Sequence, residues 1–132
     1  MLSRRSVLVS ALLATAAGAA VTPAFAVTPR PFDDAAFAQA QKTGKPVFVA
    51  IHATWCPICK AQKPILADLM ADPKFKDLTY FTIDFDSQKD LVRRFGAQKQ
   101  STLIAFIGSK EQGRSVGDSN RASISDLLNM TL

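Results

Sequence analysis

Two cysteines, Cys56 and Cys59, are the residues of this sequence best suited to chemistry, and the chain contains no others. They are two residues apart, between an apolar run over 46–51 and a helix-like stretch over 60–70. A thiol pair at such a junction of strand and helix is typical of a redox dithiol. The helix N-terminus presents backbone N–H groups and a partial positive charge, which favour a thiolate on the first cysteine. We therefore predict that Cys56 is the nucleophile and that Cys59 is the resolving thiol.

Other roles for the cysteine pair are weaker but stay open. A structural zinc site needs four nitrogen or sulfur ligands, and this chain adds only one histidine, His52, to its two cysteines. An inert disulfide across two intervening residues would close a very small loop and would constrain the unfolded chain little. Soft thiolates also suit Cu(I), so a copper-binding protein is the alternative from another functional class, although no second histidine or nearby methionine accompanies the motif. We assign no metal ligands.

Residues 1–26 have the features of an export signal, and we predict cleavage after Ala26. Arg4 and Arg5 precede an apolar, alanine-rich stretch that ends in an A-x-A sequence. Adjacent arginines before such a stretch resemble a twin-arginine signal. Val7 stands where a phenylalanine is more usual, so twin-arginine and Sec export both stay open. An uncleaved anchor is a third alternative, which the weak hydrophobicity of alanine and the A-x-A sequence disfavour. The predicted location is the bacterial periplasm.

Residues 27–132 are predicted to form one domain, which is long enough for a single hydrophobic core. Of the sixteen basic residues in the whole chain, two lie in the signal, which leaves fourteen against eleven acidic residues and a net charge of +3. Charges of both signs are interspersed, a pattern typical of a solvated surface, so we predict no nucleic-acid partner. Because a single cysteine pair provides no disulfide scaffold, stability must come from the core.

The hydrophobic pattern predicts strands and helices in alternation. The apolar run over 46–51 suits a central strand that is covered on both faces. Pro64 is expected to bend the helix after the dithiol, and Asp86 with Ser87 is expected to cap the third helix. The predicted helices cover 34–42, 56–70, 88–95 and 121–130, and the predicted strands cover 46–51, 78–85, 102–107 and 114–116, with a hairpin connection over 108–113. This order predicts an α/β fold, a three-layer α/β/α sandwich around a central mixed sheet.

These features occur in the order found in the thioredoxin family, which the sequence resembles over residues 33 to 132. The string W-C-x-x-C-K is moderately specific by itself and much more specific in this ordered context. The matching segments are Trp55 to Lys60, Pro64 in the active-site helix, the central strand over 81–84, the helix end at 95–97, the strand over 101–106, and the glycines Gly113 and Gly117. The resemblance implies a thioredoxin fold and dithiol–disulfide exchange with protein substrates.

The same resemblance implies a substrate-contacting surface around the dithiol. Its residues would be Trp55, Pro57, Ile58, Ser101 and Gly117. No cofactor is implied. Because the chain has no room for the large helical insertion of the Dsb-type oxidants, it resembles the small exported TlpA-like reductants more closely. We therefore expect a monomeric periplasmic thiol–disulfide oxidoreductase that works as a reductant and takes its electrons from a membrane-linked donor.

Two positions depart from the family pattern. Ala50 stands where thioredoxins have a buried acid that moves protons for the resolving cysteine, so proton transfer would need water or another group, such as Lys60 or Lys63. Ser101 stands where the family has a cis-proline. Because a cis bond before a non-proline residue costs about 2.5–4 kcal/mol, we predict a trans peptide between Gln100 and Ser101.

Ser101 and His52 have roles that the sequence leaves open. The Ser101 hydroxyl is a candidate partner for the thiolate, and the backbone beside it is a candidate partner for an extended substrate strand. His52 lies four residues before Cys56 and would favour the thiolate if it were protonated nearby. A lone histidine on an apolar strand is more often a structural residue, so both hypotheses are kept.

Overall fold

The computed structural model describes residues 17–19 and 26–132. The predicted export signal over 1–26 therefore lies almost entirely outside the described residues. Within the described part of the chain, none of the helices has the length and apolar character needed to cross a membrane. The first regular element of this part begins at Arg30.

A five-stranded mixed sheet with helices on both faces forms the domain. The elements are β1 (Arg30–Pro31), α1 (Asp34–Lys42), β2 (Pro46–His52), α2 (Pro57–Leu69), a 3-10 turn (Pro73–Phe75), β3 (Thr79–Asp84), α3 (Lys89–Arg94), β4 (Thr102–Ile107), β5 (Lys110–Val116) and α4 (Arg121–Asn129). The strand order is β1-β3-β2-β4-β5, in which β2 runs parallel to β3 and antiparallel to β4. The predicted α/β sandwich around a mixed sheet is confirmed.

The central strand β2 builds both halves of the core with its alternating side chains. Val47, Val49 and Ile51 are fully buried in the half that includes α1 and α3. Phe48 and Ala50 belong to the opposite half, which includes α2 and α4. Because successive side chains of a strand point to opposite faces, a continuous apolar run buries both faces, as its composition predicts.

The hairpin after β4 is tighter than the sequence suggests. β5 begins at Lys110, so the predicted connection over 108–113 is wrong, and only Gly108 and Ser109 separate the paired strands. Gly108 has a φ of 58°, which two-residue hairpin turns require and which glycine adopts without strain. The start of β5 is exposed at the sheet edge. It therefore lacks the apolar alternation that would mark a strand in the sequence.

The helix α3 also begins differently from the prediction. Its N-cap is Gln88, which makes no side-chain capping hydrogen bond, so the predicted cap by Asp86 and Ser87 is wrong. Instead, Asp84 Oδ1 accepts the backbone N–H groups of these two residues, each at 2.9 Å, and forms a turn after β3. The hydrogen bond from the Ser87 N–H is the main reason why the pKa of Asp84 lies below its ordinary value.

Candidate active site

The two cysteines lie at the start of α2. Cys56 is the N-cap residue of the helix, and Pro57 occupies the first turn, where a missing N–H costs nothing. The N–H of Cys59 donates to the sulfur of Cys56 at an N–Sγ distance of 3.1 Å. The two thiols pack together and are unbridged. The helix thus directs a backbone donor at the sulfur of the predicted nucleophile.

Both sulfur atoms are shielded from solvent. Cys56 is fully buried and Cys59 is 2% exposed, and they pack with Ala53 and the partly buried Phe85. Burial raises the pKa of the Cys59 thiol, and the neighbouring Cys56 raises it further. Backbone hydrogen bonds at Ala53 and Ser101 lower this pKa by a smaller amount. Cys59 therefore holds its proton at neutral pH and must lose it before it can attack a disulfide.

The five predicted contact residues lie around the dithiol. Trp55 is 55% exposed, Ile58 is 36% exposed, and Pro57 is exposed beside them. Ile58 reaches towards Gly117, since its Cδ1 atom lies 3.9 Å from the position that a Cβ on Gly117 would occupy. Gly117 has a φ of 70° and donates its N–H to the Ser101 carbonyl at 3.1 Å. The left-handed backbone at Gly117 suits glycine, which has no Cβ.

Asp86 is a site residue that sequence patterns do not reveal directly. Its Oδ2 atom accepts the indole N–H of Trp55 at 2.7 Å and so orients the exposed ring. Only the order of the strands in the sheet could have predicted this contact. β2 and β3 are parallel neighbours, so the loops after their carboxyl ends lie at the same edge of the sheet. Trp55 follows β2 and Asp86 follows β3.

Ser101 follows a trans peptide, as predicted, since the described residues contain no cis bond. Its φ of 60° is the left-handed conformation, which is unfavourable for a residue with a Cβ. The Ser101 N–H donates to the Ile51 carbonyl at 2.8 Å, a bond that a proline could not make. The Ser101 hydroxyl donates to the Gln100 carbonyl. The hydroxyl that the sequence offers to the thiolate is therefore engaged elsewhere.

Gln62 is a second site residue that the sequence analysis did not identify. It is 3% exposed, and its Nε2 donates to the Asp118 carbonyl at 2.7 Å and to the Ser101 carbonyl at 3.3 Å. Position 62 shares a helix face with Cys59 and Leu66, both of which are buried. A polar side chain on a buried helix face requires hydrogen-bond partners. The spacing of Gln62 from Cys59 and Leu66 is therefore the sequence feature from which a buried hydrogen bond could be predicted.

A pocket of about 390 Å³ lies between α2 and the sheet. Cys59 and Lys63 line it from α2, Ala50 and His52 line it from β2, and Tyr80 lines it from β3. Ala50 contributes only a methyl group at the position where the family resemblance implies a buried acid. The resolving cysteine thus borders a space that an acidic side chain at position 50 would partly fill.

His52 is the last residue of β2, and one of its ring nitrogens, Nδ1, is buried and has no hydrogen-bond partner among the described residues. The residue is in register with Asp84 on β3. In residues 17–19 and 26–132, no group of three or more His, Cys, Asp or Glu side chains is arranged to hold a metal ion. The copper-binding alternative therefore gains no third His, Cys, Asp or Glu ligand from this part of the chain.

Comparison with known proteins identifies relatives over most of the domain. Residues 28–130 match the family model described as thioredoxin. The thioredoxin of Mycobacterium bovis is 35% identical over 92 residues, which cover 69% of this chain and 78% of that protein. The protein disulfide-isomerase tigA of Aspergillus niger is 38% identical over 112 residues, 83% of this chain. The crystal structure of Trxlp from Edwardsiella tarda, 42% identical, has a TM-score of 0.73 and covers 76% of this chain and 98% of that one.

Some of these relatives are much longer than the chain. It spans 29% of the disulfide-isomerase tigA and 20% of the bifunctional thioredoxin reductase/thioredoxin of Mycobacterium leprae. A thioredoxin of Malassezia sympodialis, at 20% identity and a TM-score of 0.70, shows a likeness of fold alone. The matched region contains the dithiol and the elements that position it.

Proposed function

Because the chain belongs to the thioredoxin family, as a thiol–disulfide oxidoreductase domain with a Cys56–Cys59 pair, we propose that the protein reduces protein disulfides in the bacterial periplasm. The observation that carries the proposal is the Cys59 N–H that donates to the Cys56 sulfur at 3.1 Å. A sulfur that caps a helix N-terminus is arranged to attack as a thiolate.

Disulfide exchange at this site takes two steps, which balance in sulfur bonds and protons. The Cys56 thiolate attacks one sulfur of the substrate disulfide and forms a mixed disulfide, while the other substrate sulfur leaves as a thiolate and takes a proton from water. Cys59 then loses its proton, attacks the Cys56 sulfur and displaces the second substrate thiolate. The products are a reduced substrate and a Cys56–Cys59 disulfide.

Substrate binding must expose the nucleophile, because Cys56 is fully buried. The side chains that flank it, Trp55 and Ile58, are exposed and can move without disturbing the core. Together with Gly117 they offer an apolar surface to a polypeptide that carries the disulfide. A protein substrate fits this surface.

A reducing role is supported by the architecture and by analogy. Among the described elements, β3 and β4 are joined through the six-residue helix α3, with no inserted helical domain. The Dsb-type oxidants carry such an insertion, whereas the small TlpA-like reductants do not. A reductant becomes oxidised in each cycle, so the proposal includes a membrane-linked dithiol donor that restores the two thiols. We also propose that the protein works as a monomer.

Export is supported by the position of the predicted cleavage site. The A-x-A sequence ends at Ala26, and the family match begins at residue 28. Cleavage there would leave the matched domain whole. N-terminal sequencing of the protein from a periplasmic fraction should give Val27 as the first residue. Retention of residues 1–26 on a membrane-bound protein would instead indicate an anchor.

The reduction potential of the Cys56–Cys59 couple, measured against glutathione, tests the function. A value of about −270 mV, as for thioredoxin, supports a reductant, whereas a value of about −120 mV, as for DsbA, would reverse the direction. Insulin reduction should be lost in Cys56→Ser. The control Cys59→Ser should still form mixed disulfides but fail to release them. Failure to form a reversible disulfide, or full activity of Cys56→Ser, would overturn the proposal.

A further inference from the structure

The resolving step of the proposed disulfide exchange needs a proton acceptor, and the identity of that acceptor depends on the proposed function being correct. Cys59 is 2% exposed and must give up a proton before it attacks the mixed disulfide. Ala50, which stands at the position of the family's buried acid, cannot accept a proton. Water or another group near Cys59 must therefore do so.

The alternation of β2 places His52 on the same side of the sheet as the resolving cysteine. Ala50 and His52 are two residues apart and so share one face of the strand. Both line the pocket of about 390 Å³ that Cys59 borders from α2. Cys56 does not line this pocket. The geometry thus relates His52 to the resolving thiol, whereas the sequence hypothesis related it to the nucleophile.

Other polar groups near the pocket include Lys63, Tyr80, Lys60 and the backbone nitrogen of Val27. Lys63 lines the pocket from α2. Burial raises the pKa of Tyr80 to about 12, so its phenol holds its proton at neutral pH. Lys60 is exposed and does not line the pocket. Removal of the signal would turn the backbone nitrogen of Val27 into an amine. This nitrogen donates to the Met70 carbonyl at 3.5 Å and so already has a hydrogen-bond partner. Imidazole is the side chain that ordinarily accepts and releases protons near pH 7.

His52 also has an unused nitrogen and a neighbouring carboxylate. Buried polar atoms without a partner, such as its Nδ1, are rare in native proteins and call for a functional explanation or a water. A pocket of about 390 Å³ has room for water, which takes up about 30 Å³ per molecule. Asp84, in register with His52, is held ionised mainly by the hydrogen bond from Ser87, and attraction to His52 also lowers its pKa. A proton that arrives on the ring therefore meets a negative charge.

We propose that His52 accepts the proton of Cys59 through water in the pocket during the resolving step. The S–H bond of Cys59 breaks and the imidazole becomes an imidazolium. The Cys59 thiolate then bonds to the Cys56 sulfur as the bond between Cys56 and the substrate sulfur breaks. The electron pair of that bond leaves with the substrate thiolate, which is protonated by solvent, and the imidazolium returns its proton to solvent. The substrate disulfide is the oxidant, so no other is needed.

Stopped-flow reaction of the reduced protein with 5,5′-dithiobis(2-nitrobenzoate) separates the two steps. The first thionitrobenzoate released reports attack by Cys56, and the second reports resolution by Cys59. We expect His52→Gln to slow the second release by about tenfold or more at neutral pH and to leave the first within about twofold. This defect should shrink as pH rises, because Cys59 then ionises without an acceptor.

Lys63→Gln is the matched control, since Lys63 lines the same pocket and should leave both rates within about twofold. His52→Asn repeats the test with a smaller amide, and circular dichroism checks that each variant folds. Resolution as fast in the two His52 variants as in the wild type would overturn the inference. So would slowing by one constant factor from about pH 6 to about pH 10, which indicates a structural effect. Release of a single equivalent by the wild type would overturn the proposed function, and this inference with it.

Discussion

Gln62 and Asp118 are joined by a hydrogen bond from the side-chain Nε2 to the backbone carbonyl at 2.7 Å. The same Nε2 donates to the Ser101 carbonyl at 3.3 Å. Gln62 lies on α2, three residues after Cys59, whereas its two acceptors belong to the loops before β4 and after β5. One buried amide therefore fixes the helix that carries the dithiol to both loops that face it.

Gln62→Leu should destabilise the fold, although it places an apolar side chain in a buried position. The Asp118 carbonyl loses its side-chain donor, and the Ser101 carbonyl keeps only the N–H of Gly117. A buried acceptor left unpaired costs about 1–3 kcal/mol. Because the bond to Asp118 is only partly buried, urea unfolding should show a loss of about 1 kcal/mol. The control Gln39→Leu, on the exposed side of α1, should change stability by no more than about 0.5 kcal/mol. Equal stability of the two variants would contradict the prediction.

Ser101→Gly should stabilise the protein. The serine holds a φ of 60°, and a Cβ in that conformation costs about 1–2 kcal/mol. Glycine keeps the N–H bond to Ile51 and removes this cost, while its greater freedom in the unfolded chain offsets about 0.5–1 kcal/mol. We expect a net gain of up to about 1 kcal/mol in the free energy of unfolding. As a control, Ser119→Gly should lower the free energy of unfolding, because φ is not positive at that position. A lower free energy of unfolding in both variants would contradict the prediction.

Asp86→Ala should loosen the indole of Trp55. The chain contains a single tryptophan, so its intrinsic fluorescence reports on that ring alone. Without the acceptor at 2.7 Å, the fluorescence anisotropy should fall. Insulin reduction should slow about fivefold, because a hydrogen bond contributes about 1 kcal/mol. The control Asp77→Ala, in the exposed turn before β3, should change neither quantity. Unchanged anisotropy in Asp86→Ala would show that the bond does not hold the ring.

Tyr80 should make stability fall at alkaline pH. Burial raises its pKa to about 12, against about 10 in an unfolded chain. The folded state therefore favours the protonated phenol, so this stabilisation is complete below about pH 10 and is lost as pH rises through about 12. Two pKa units correspond to about 3 kcal/mol.

The disulfide form is the one to measure for Tyr80, because Cys59 does not titrate in it. Tyr80→Phe should remove this part of the alkaline decline. Since Tyr80 is the only tyrosine, its absorbance titration gives the midpoint directly. A midpoint near pH 10 in the folded protein would show that the phenol is not shielded.

Local patterns were sufficient to predict the dithiol and the three inner strands of the sheet, β2, β3 and β4. The C-x-x-C motif depends only on the strand before it and the helix after it, and Cys56 indeed caps α2. The apolar run of β2 shows its double burial in its composition alone. The trans peptide before Ser101 followed from the high cost of a cis bond at a residue that is not proline.

Long-range polar contacts could not be predicted in this way. Trp55 and Asp86 are 31 residues apart, and Gln62 and Asp118 are 56 apart, so no short pattern contains both members of either pair. The pocket beside Cys59 likewise depends on how α2 packs over the sheet. The pocket is lined by the small side chain of Ala50 on β2 and by residues of α2, which begins seven residues later in the chain.

The two outer strands affect how the sheet can pair with other polypeptides. β1 consists of Arg30 and Pro31, and a proline has no N–H to offer a neighbouring strand. β5 is exposed, carries Lys110, Glu111 and Arg114, and pairs with β4 through an irregular register. Short, charged and bulged edges are poor templates for further strands. The sheet is therefore protected against edge-to-edge aggregation with the β-prone segments of other polypeptides.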